Sequence, residues 1–457
     1  MVFSSLIFIL RFMPVFFIIY YIVPAKWRNF VLFAGSVIFY AWGEPKYVIL
    51  VLISVAVNFF IAKAIGRSGD RQGRKKLFLA TGIIYNAGLL LLFKYSAFVI
   101  TNINEFCGTS VRVPELALPL GISFYTFQIM SYVIDVYRGT CEYETSILDL
   151  GTYLMMFPQL IAGPIVVYDK VALSLKAREI SAENLENGLK TFIIGLGSKV
   201  LLANNFGSIW NNAGIAGYED ISTPQAWIGM IAYTLQIYFD FNGYSLMAVG
   251  LGEMLGFSFP ENFRYPYTAT SVTDFWRRWH ITLTSWFREY IYIPLGGNRK
   301  GRMRTYLNMF IVWAVTGFWH GADWNFIIWG LYYFVLISIE RLFLGKLLKH
   351  SRVLSRIYTM LAVMCGWILF AITDVRQVGV YFSRLFSWHY STDYLENIGT
   401  VAGLLLTGAI LSTPIFHGFY EKHIKSVPVL AVLIIIFWGS VVSLVDAVYN
   451  PFLYFRF

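Results

Sequence analysis

Apolar segments long enough to cross a lipid bilayer recur along the whole of this chain. Of its 457 residues, 57% are hydrophobic and only 14% are charged, a balance too apolar for a soluble protein of this length. Roughly a dozen segments approach the ~20 apolar residues of a spanning helix. Because closed helices satisfy their own backbone in lipid and no barrel-type alternation is present, we predict an all-α, polytopic transmembrane bundle. Examples of the segments are Leu6–Val23, Lys46–Ile65, Leu77–Phe93, Gln225–Phe239, Ile327–Ile339 and Val429–Leu444.

Basic residues gather in the short connections between the apolar segments. The formal net charge of +10 alone would suggest a nucleic-acid partner, but cations at the ends of spans mark cytoplasmic loops of membrane proteins. The connection 63–76 has six basic residues and a single acid, Asp70, so we place it in the cytoplasm. Counting back three spans places Lys26 and Arg28 in the cytoplasm too and the N-terminus outside. The expected partner is therefore the lipid bilayer, not nucleic acid.

The first apolar segment and the cysteines give expectations about processing and metals. Arg11 interrupts that segment, and neither a basic stretch before it nor a small-residue cleavage site after it is seen, so we expect a first span instead of a cleavable signal. The three cysteines, Cys107, Cys141 and Cys365, form no CxxC pair. We expect neither a disulfide nor a metal site.

We expect a single membrane domain made of scaffold helices 1–95, a core 118–340 and C-terminal helices 341–457. A polar loop, 101–116, should precede the core. Two prolines, in Phe157-Pro158 and Gly163-Pro164, interrupt the apolar stretch Leu148–Val167, which predicts a broken or re-entrant helix. The charged stretch Lys170–Lys190 predicts a surface helix and the one weak boundary in the chain.

The central stretch, Ser271–Asn325, places histidines inside otherwise apolar segments. From Thr273 to Ile291 the aromatic and aliphatic residues recur at helical spacing, which predicts one helix with His280 on its aromatic face. Ser271 and Asp274 resemble a capping box at its start, and Pro294 with two glycines ends it. We consider both a functional His280 and a packed core histidine.

His320 ends the apolar helix predicted over Thr305–Trp319. At about 1.5 Å per residue it lies roughly 24 Å along the helix axis from Arg304, most of the way across a ~30 Å hydrocarbon core. An ionisable group at that depth is a functional hypothesis by default, and burial favours the neutral imidazole that a general base needs. The alternative is a histidine that only bonds a neighbouring helix.

Asp240 is the second ionisable residue in an apolar helix, within the run Tyr238–Ser245. It could orient an imidazole or bind an ion, but we favour a structural pairing with an arginine such as Arg277. The glycine-rich basic turn Gly296–Lys300 could bind a phosphate, although a turn that obeys the positive-inside rule is the preferred interpretation. The remaining histidines lie near loops or span ends, and we predict that they are surface residues: His350, His389, His417 and His423.

Several long motifs stand in order in the central part of the chain. They are Phe157-Pro158-Gln159 with Gly163-Pro164, Tyr238–Ser245, Pro260-Glu261-Asn262-Phe263, Phe275-Trp276-Arg277-Arg278-Trp279-His280, Tyr292–Asn298, and Thr316–Gly321 with Trp324. This set, over roughly 118–340, resembles the membrane-bound O-acyltransferase family, and within it the bacterial branch of alginate O-acetylation and teichoic acid D-alanyl transfer proteins. The chain departs from that branch at Asn242, where serine is usual, and at Leu246, where an acid is usual.

The resemblance implies transfer of an acyl group from a cytosolic thioester to a hydroxyl of an exported polysaccharide or cell-wall polymer. Acetyl is the first candidate for the acyl group, with acetyl-CoA as the donor. It implies that His320 is the catalytic base and that His280 positions a substrate, with no bound cofactor. It also implies a partner transferase or carrier protein outside a bacterial cytoplasmic membrane. The residues to which we assign substrate contacts are Asp240, Asn242, Trp276, Arg277, Trp279, Trp319, Asn298, Arg299 and Lys300. Composition alone leaves a proton-coupled transporter, with Asp240 and the histidines as relay, as the alternative.

Overall fold

The computed structural model describes residues 1–161, 163–214, 217–388, 398–446 and 452–453. In this part of the chain all regular structure is helical. Six of the described helices are long and apolar enough to span a membrane, or seven if one bent pair counts as a single span. The polytopic helical bundle is therefore confirmed. The spans are fewer than the dozen expected because several apolar helices are short or interrupted by polar residues.

The chain divides into two compact units, of which the first contains Met1–Phe192 and Ser245–Pro260. Its core includes a cluster of phenylalanine rings around Phe157, with ring centroids 5.1–6.4 Å from it. The helices of this unit are α1 (Met13–Ile22, preceded by a π-helical turn Phe8–Phe12), α2 (Arg28–Gly43), α3 (Val48–Arg67), α4 (Gln72–Cys107), α5 (Ile122–Arg138), α6 (Ile147–Met155), α7 (Phe157–Leu160), α8 (Asp169–Lys176) and the beginning of α9 (Ala182–Gly197).

Helix α4 is longer than the sequence predicts. It continues to Cys107 and ends at Gly108, which has a left-handed φ of 64°, so the expected loop 101–116 begins only there. Residues Ile103 and Phe106 continue the apolar helical pattern past the polar side chains between them. Asn58 of α3 and Asn86 of α4 exchange buried amide hydrogen bonds of 3.0 and 2.7 Å, which join these two helices within the apolar interior.

The segment with two prolines is broken, as predicted. Helix α6 ends at Met155, α7 makes a single turn, and residues 164–167 have no regular secondary structure. Tyr153 OH donates to the carbonyl oxygen of Val166 at 2.8 Å, which satisfies part of the freed backbone. The charged stretch 170–190 is not one surface helix. It forms α8 and the start of α9, separated at Ala177–Ser181, because Ala177 is extended.

The second unit contains Ile193–Tyr244 and Glu261–Phe457. Its helices are the end of α9 with a π-helical turn Ser198–Ala203, α10 (Asn204–Gly214), most of α11 (Thr223–Met254), α12 (Val272–Arg278), α13 (Ile281–Phe287) with a π-helical turn Arg288–Tyr292, α14 (Arg302–His320), α15 (Trp324–Ile339) with a π-helical turn Glu340–Leu344, α16 (Gly345–Leu348), α17 (Arg352–Ala371), α18 (Val375–Arg384), α19 (Ile398–Leu411), α20 (His417–His423) and α21 (Val427–Asp446).

Two glycine contacts set the geometry around the site in this unit. A Cβ on Gly317 of α14 would lie 2.4 Å from the carbonyl oxygen of Phe326, so α14 and α15 pack with their backbones in contact. A Cβ on Gly243 of α11 would lie 2.8 Å from the carbonyl oxygen of Gly195 and 3.0 Å from the amide of Lys199. Only glycine allows both approaches, and the second brings Lys199 beside α11.

Candidate active site

The aromatic stretch that the sequence predicts as one helix is broken at His280. Helix α12 ends at Arg278 and α13 begins at Ile281, because His280 adopts a left-handed conformation with a φ of 45°. The predicted cap is present: Ser271 Oγ accepts the amide of Asp274 at 2.9 Å. A left-handed non-glycine residue costs roughly 1–3 kcal/mol and persists where its surroundings enforce it. This strain marks His280 as a specially held residue.

Asn262 holds the broken segment from both sides. Its backbone oxygen accepts the amide of Ile281 at 3.0 Å. Its side-chain Oδ1 lies 3.1 Å from His280 Nδ1 and accepts the hydroxyl of Thr282 at 2.9 Å. Because Oδ1 is an acceptor, Nδ1 is the protonated ring nitrogen and Nε2 retains its lone pair. Asn262 therefore sets the tautomer of His280.

His280 is buried, 1% exposed, and lies outside the helices that could span a membrane. Burial lowers the pKa of His280 to about 3, since a charged imidazolium would lose its hydration. Phe241 packs edge-on against its ring, with centroids 4.7 Å apart. The imidazole is thus neutral at physiological pH and positioned by Asn262.

His320 lies at the end of α14 among aromatic rings. Its ring centroid is 5.0 Å from Trp319, 4.9 Å from Trp329 and 5.2 Å from Phe370, and the residue is 6% exposed. It lines a cavity of about 20 Å³, room for about one water molecule. The other residues that line this small cavity are Ile237, Asp240, Phe241, Trp276, Trp279, Trp329, Trp367, Phe370, Phe452 and Leu453.

Asp240 forms a buried ion pair with Lys199. The distance between Lys199 Nζ and Asp240 Oδ1 is 2.6 Å, and the side chains are 4% and 2% exposed. The expected pairing with Arg277 is therefore wrong: Arg277 lies on α12, whereas the Gly243 contact places the π-helical turn with Lys199 beside Asp240. Asp240 Oδ2 also accepts the amide of Leu453 at 2.7 Å, which holds that residue at the small cavity.

A second cavity, of about 780 Å³, lies in the same unit and has the size of a typical ligand site. Five cations line it, Arg277, Arg288, Arg341, Lys349 and Arg352, while its apolar wall includes Trp276, Phe287, Met309 and Trp313. Trp276 lines both this cationic cavity and the small cavity of His320. One indole therefore separates a large cationic space from the buried histidine.

Glu340 is the carboxylate that lines the cationic cavity, yet its oxygens are already engaged. They accept the backbone amides of Val272 and Thr273 at 2.6 and 2.9 Å and the hydroxyl of Thr273 at 2.6 Å. A carboxylate at the N-terminus of α12 stabilises the helix dipole. It holds α12, and with it Trp276, in place.

The structure brings some of the predicted site residues together and leaves others apart. His320, Asp240, Trp276 and Trp279 line the small cavity, and Arg277 lines the cationic one. Trp319 lies between the histidines, with centroids 5.0 Å from His320 and 6.4 Å from His280. The half-buried Asn242 and the exposed turn residues line neither cavity; that turn contains Asn298, Arg299 and Lys300.

Sequence reasoning missed Lys199, Asn262 and Glu340. A lone lysine inside the apolar run 192–203 is itself a signal, and Asn262 lies inside a quoted motif, but Glu340 has no local signal. Of the other histidines, His350 and His417 are exposed as predicted, and His423 is half-buried. His389 lies outside the described residues.

The fold and site define a helical membrane protein in which the small cavity of a buried histidine shares Trp276 with a large cationic cavity. Residues 140–383 match the model of the membrane-bound O-acyltransferase family. A probable alginate O-acetylase AlgI of Azotobacter vinelandii is 34% identical over 100% of both chains. A peptidoglycan O-acetyltransferase of Helicobacter pylori is 35% identical over 81% of this chain and 77% of its own length. A teichoic acid D-alanyltransferase of Bacillus subtilis is 30% identical over 49% and 59%.

The chain belongs to the membrane-bound O-acyltransferase family. It is accordingly an O-acyltransferase with several membrane-spanning helices, and the transporter alternative is not retained. The family match includes His320, His280 and both cavities, apart from the C-terminal residues Phe452 and Leu453 at the small cavity.

Replacing Asn262 tests how His280 is held. Asn262→Asp keeps an acceptor for Nδ1–H but adds a buried negative charge, which should raise the pKa of His280. We therefore expect a new loss of acyl transfer on acidification, at a pH where the wild type is still active. Asn262→Ala, which removes the acceptor, should instead lower the rate at all pH values. The pH profiles of both variants check this, and a wild-type profile in Asn262→Asp would contradict it.

Proposed function

We propose that this protein transfers an acetyl group from a coenzyme A thioester in the cationic cavity to an acceptor hydroxyl, with His320 as general base, and that the acetyl group is destined for an exported polysaccharide. The observation that supports this most directly is the position of Trp276 between the cationic cavity and the small cavity of His320. A donor bound by its phosphates in the larger space would extend its thioester toward the histidine past that indole.

The cationic cavity matches the chemistry of coenzyme A. Phosphate groups are bound by arginine and lysine through charge-assisted hydrogen bonds, and Arg341, Lys349 and Arg352 are three such groups on the cavity wall. The pantetheine arm is uncharged and would lie along the apolar wall, which includes Met309 and Trp313. An acyl group on a carrier protein's phosphopantetheine has the same arm but fewer phosphates.

The reaction requires a base at the acceptor hydroxyl. In the proposed step His320 takes the hydroxyl proton while the oxygen attacks the thioester carbonyl; a C–O bond forms, the C–S bond breaks, and the coenzyme A thiolate leaves and takes up a proton. The indole N–H groups of Trp276 and Trp329 have no acceptor among the described residues, so they are available to the carbonyl oxygen as negative charge develops there. The dry aromatic walls limit hydrolysis of the donor.

The acceptor and the partner are proposed from the relatives' names together with this chemistry. Those relatives are named for alginate, peptidoglycan and teichoic acid, so an exported polysaccharide or cell-wall polymer is the acceptor class that we propose. The small cavity holds about one water, too little for a sugar ring. We therefore propose that an acceptor group on a partner transferase or carrier protein outside a bacterial cytoplasmic membrane receives the acyl group first.

Release of coenzyme A tests this function. Purified protein in sealed vesicles is supplied with radiolabelled acetyl-CoA on the side of the cationic cavity, with and without a polysaccharide acceptor. Release above the protein-free rate supports the proposal. If the folded protein releases no coenzyme A from acetyl-CoA but transfers the acetyl group from an acetylated carrier protein, the carrier-bound acyl group takes the place of acetyl-CoA as the donor.

The phosphates of the donor have two candidate sites, the cationic cavity and the exposed turn that the sequence predicts. Lys349→Ala with Arg352→Ala removes two cations of the cavity, and Arg299→Ala with Lys300→Ala removes two of the turn. We expect the cavity variant to raise the KM for acetyl-CoA by about 100-fold or more, since each of the two charge-assisted hydrogen bonds contributes ~1.5–3 kcal/mol, and the turn variant to change it less than twofold. A larger increase of KM in the turn variant than in the cavity variant would show that the turn binds the phosphates.

A further inference from the structure

The first unit has a cationic cavity of its own, which the proposed transfer reaction does not use. It has a volume of about 590 Å³ and lies among the connection between α1 and α2, the start of α2, and the end of α8 with the three residues that follow it. Four cations and one carboxylate are among its lining residues: Lys26, Arg28, Lys176, Arg178 and Glu179. Such an excess of positive charge in a concave site favours an anion.

Arg178 is held rigidly at this cavity. Its Nε donates to Tyr20 OH at 2.8 Å, and its Nη1 donates to Asn29 Oδ1 at 2.7 Å and to the carbonyl oxygen of Ser174 at 3.0 Å. Its guanidinium carbon also lies 4.7 Å from the ring centroid of Phe257. The conformation of the guanidinium is therefore set without any ligand, so little rotamer entropy is lost on binding.

Two guanidinium nitrogens of arginines that line the cavity have no acceptor among the described residues. Arg178 Nη2 and Arg28 Nε are both buried and make no hydrogen bond to any described residue. A buried donor left without an acceptor costs roughly 1–3 kcal/mol. An oxyanion ligand would supply the acceptors, since planar guanidinium groups match phosphate oxygens in geometry.

Exposed apolar side chains lie close in sequence to the residues that line this cavity. Ile22, at the end of α1, is 77% exposed, Trp27 is 52% exposed and Phe30 is 49% exposed. In a membrane protein such side chains face acyl chains, and tryptophan favours the level of the headgroups. The cations Lys26 and Arg28 are predicted to be cytoplasmic by their charge, and anionic phospholipids give the cytoplasmic leaflet its negative surface potential.

We propose that this cavity binds a phosphate-bearing anion, and that its source is the headgroup of an anionic phospholipid. Arg28 and Arg178 donate to the phosphate oxygens, Lys26 and Lys176 add charge at the rim, and the acyl chains lie against the exposed apolar residues of α1 and α2. The bound lipid would tie α1 and α2 to α8. The proposal does not depend on the acyl-transfer mechanism.

The test compares full-length protein in nanodiscs of pure phosphatidylcholine with nanodiscs that contain phosphatidylglycerol, and measures the midpoint of thermal unfolding. We expect phosphatidylglycerol to raise the midpoint of the wild type, because a ligand that binds only the folded state stabilises it. The exposed pair Lys26→Ala with Lys176→Ala leaves the Arg178 network intact. Its apparent affinity for phosphatidylglycerol, titrated in mixed micelles, should fall about 30-fold, since each such lysine contributes ~1 kcal/mol.

Two matched control variants test whether the effect is specific to this cavity, and inorganic phosphate tests whether a lipid is the source of the anion. Lys26→Arg with Lys176→Arg should bind as the wild type does. Arg74→Ala with Lys76→Ala removes two exposed cations that are also predicted to be cytoplasmic but do not line this cavity, and it should bind as the wild type does as well. Equal affinities of all variants would overturn the site. Stabilisation by inorganic phosphate in phosphatidylcholine nanodiscs, with no effect of phosphatidylglycerol, would support the anion site and overturn the lipid as its source.

Discussion

Replacing His320 by alanine should lower acyl transfer by about 10²–10⁴-fold, the range that a general base contributes, while the protein remains folded in the membrane. The imidazole is buried among aromatic rings and lines the small cavity, and the other ionisable side chain on that wall, Asp240, is neutralised by Lys199. No second base on the described wall can replace it. Release of coenzyme A from radiolabelled acetyl-CoA measures the effect.

The control for this prediction is His417→Ala, because His417 is an exposed histidine on α20, with a side chain 50% exposed, that faces Glu421 across a helical turn. That variant should retain the wild-type rate within about twofold, since exposed substitutions change little. Both proteins should elute as the wild type does in detergent. Acyl transfer that persists in folded His320→Ala would remove the role assigned to His320.

Breaking the buried ion pair between Lys199 and Asp240 should cost roughly 3–5 kcal/mol of unfolding free energy, because removing one partner deprives the other buried charge of its counter-ion. In Asp240→Ala the Lys199 ammonium still donates to Asn204 Oδ1 at 2.9 Å, but this amide oxygen carries no charge. It also removes the acceptor of the Leu453 amide, so the wall of the small cavity should loosen as well. Unfolding by sodium dodecyl sulfate in mixed micelles measures the loss.

A double variant that lacks both charges distinguishes the effect of charge from the effect of side-chain size in this experiment. Lys199→Met with Asp240→Asn removes both charges but keeps an acceptor for Leu453, and it should recover most of the lost stability, as double-mutant cycles show for coupled partners. The exposed pair of Arg264 and Glu261, with side chains 67% and 49% exposed, gives the matched control. Arg264→Ala should cost no more than about 1 kcal/mol. Equal losses in the two pairs would show that burial does not decide the strength of the first.

Local patterns predicted several parts of the fold correctly. Ser271 caps α12 because the capping contact joins residues three apart, and the segment around Phe157 is broken where proline prevents a continuous helix. The prediction of a continuous helix through His280 is wrong, although the apolar residues recur at helical spacing on both sides of it. Its break depends on Asn262, eighteen residues away, whose hydrogen bonds to His280 and Thr282 replace those of a regular helix.

The sequence by itself determined the helical membrane class, because composition and span length act locally and lipid allows few backbone solutions; it also predicted His320 as the catalytic base. Only the tertiary structure decided the partners of the charged groups: Lys199 for Asp240, the N-terminus of α12 for Glu340, and a shared cavity for cations such as Arg277, Arg341 and Arg352. Those partners come from helices distant in sequence. Their contacts depend on how closely helices pack, as at Gly243 and Gly317, and no pattern within one helix contains that information.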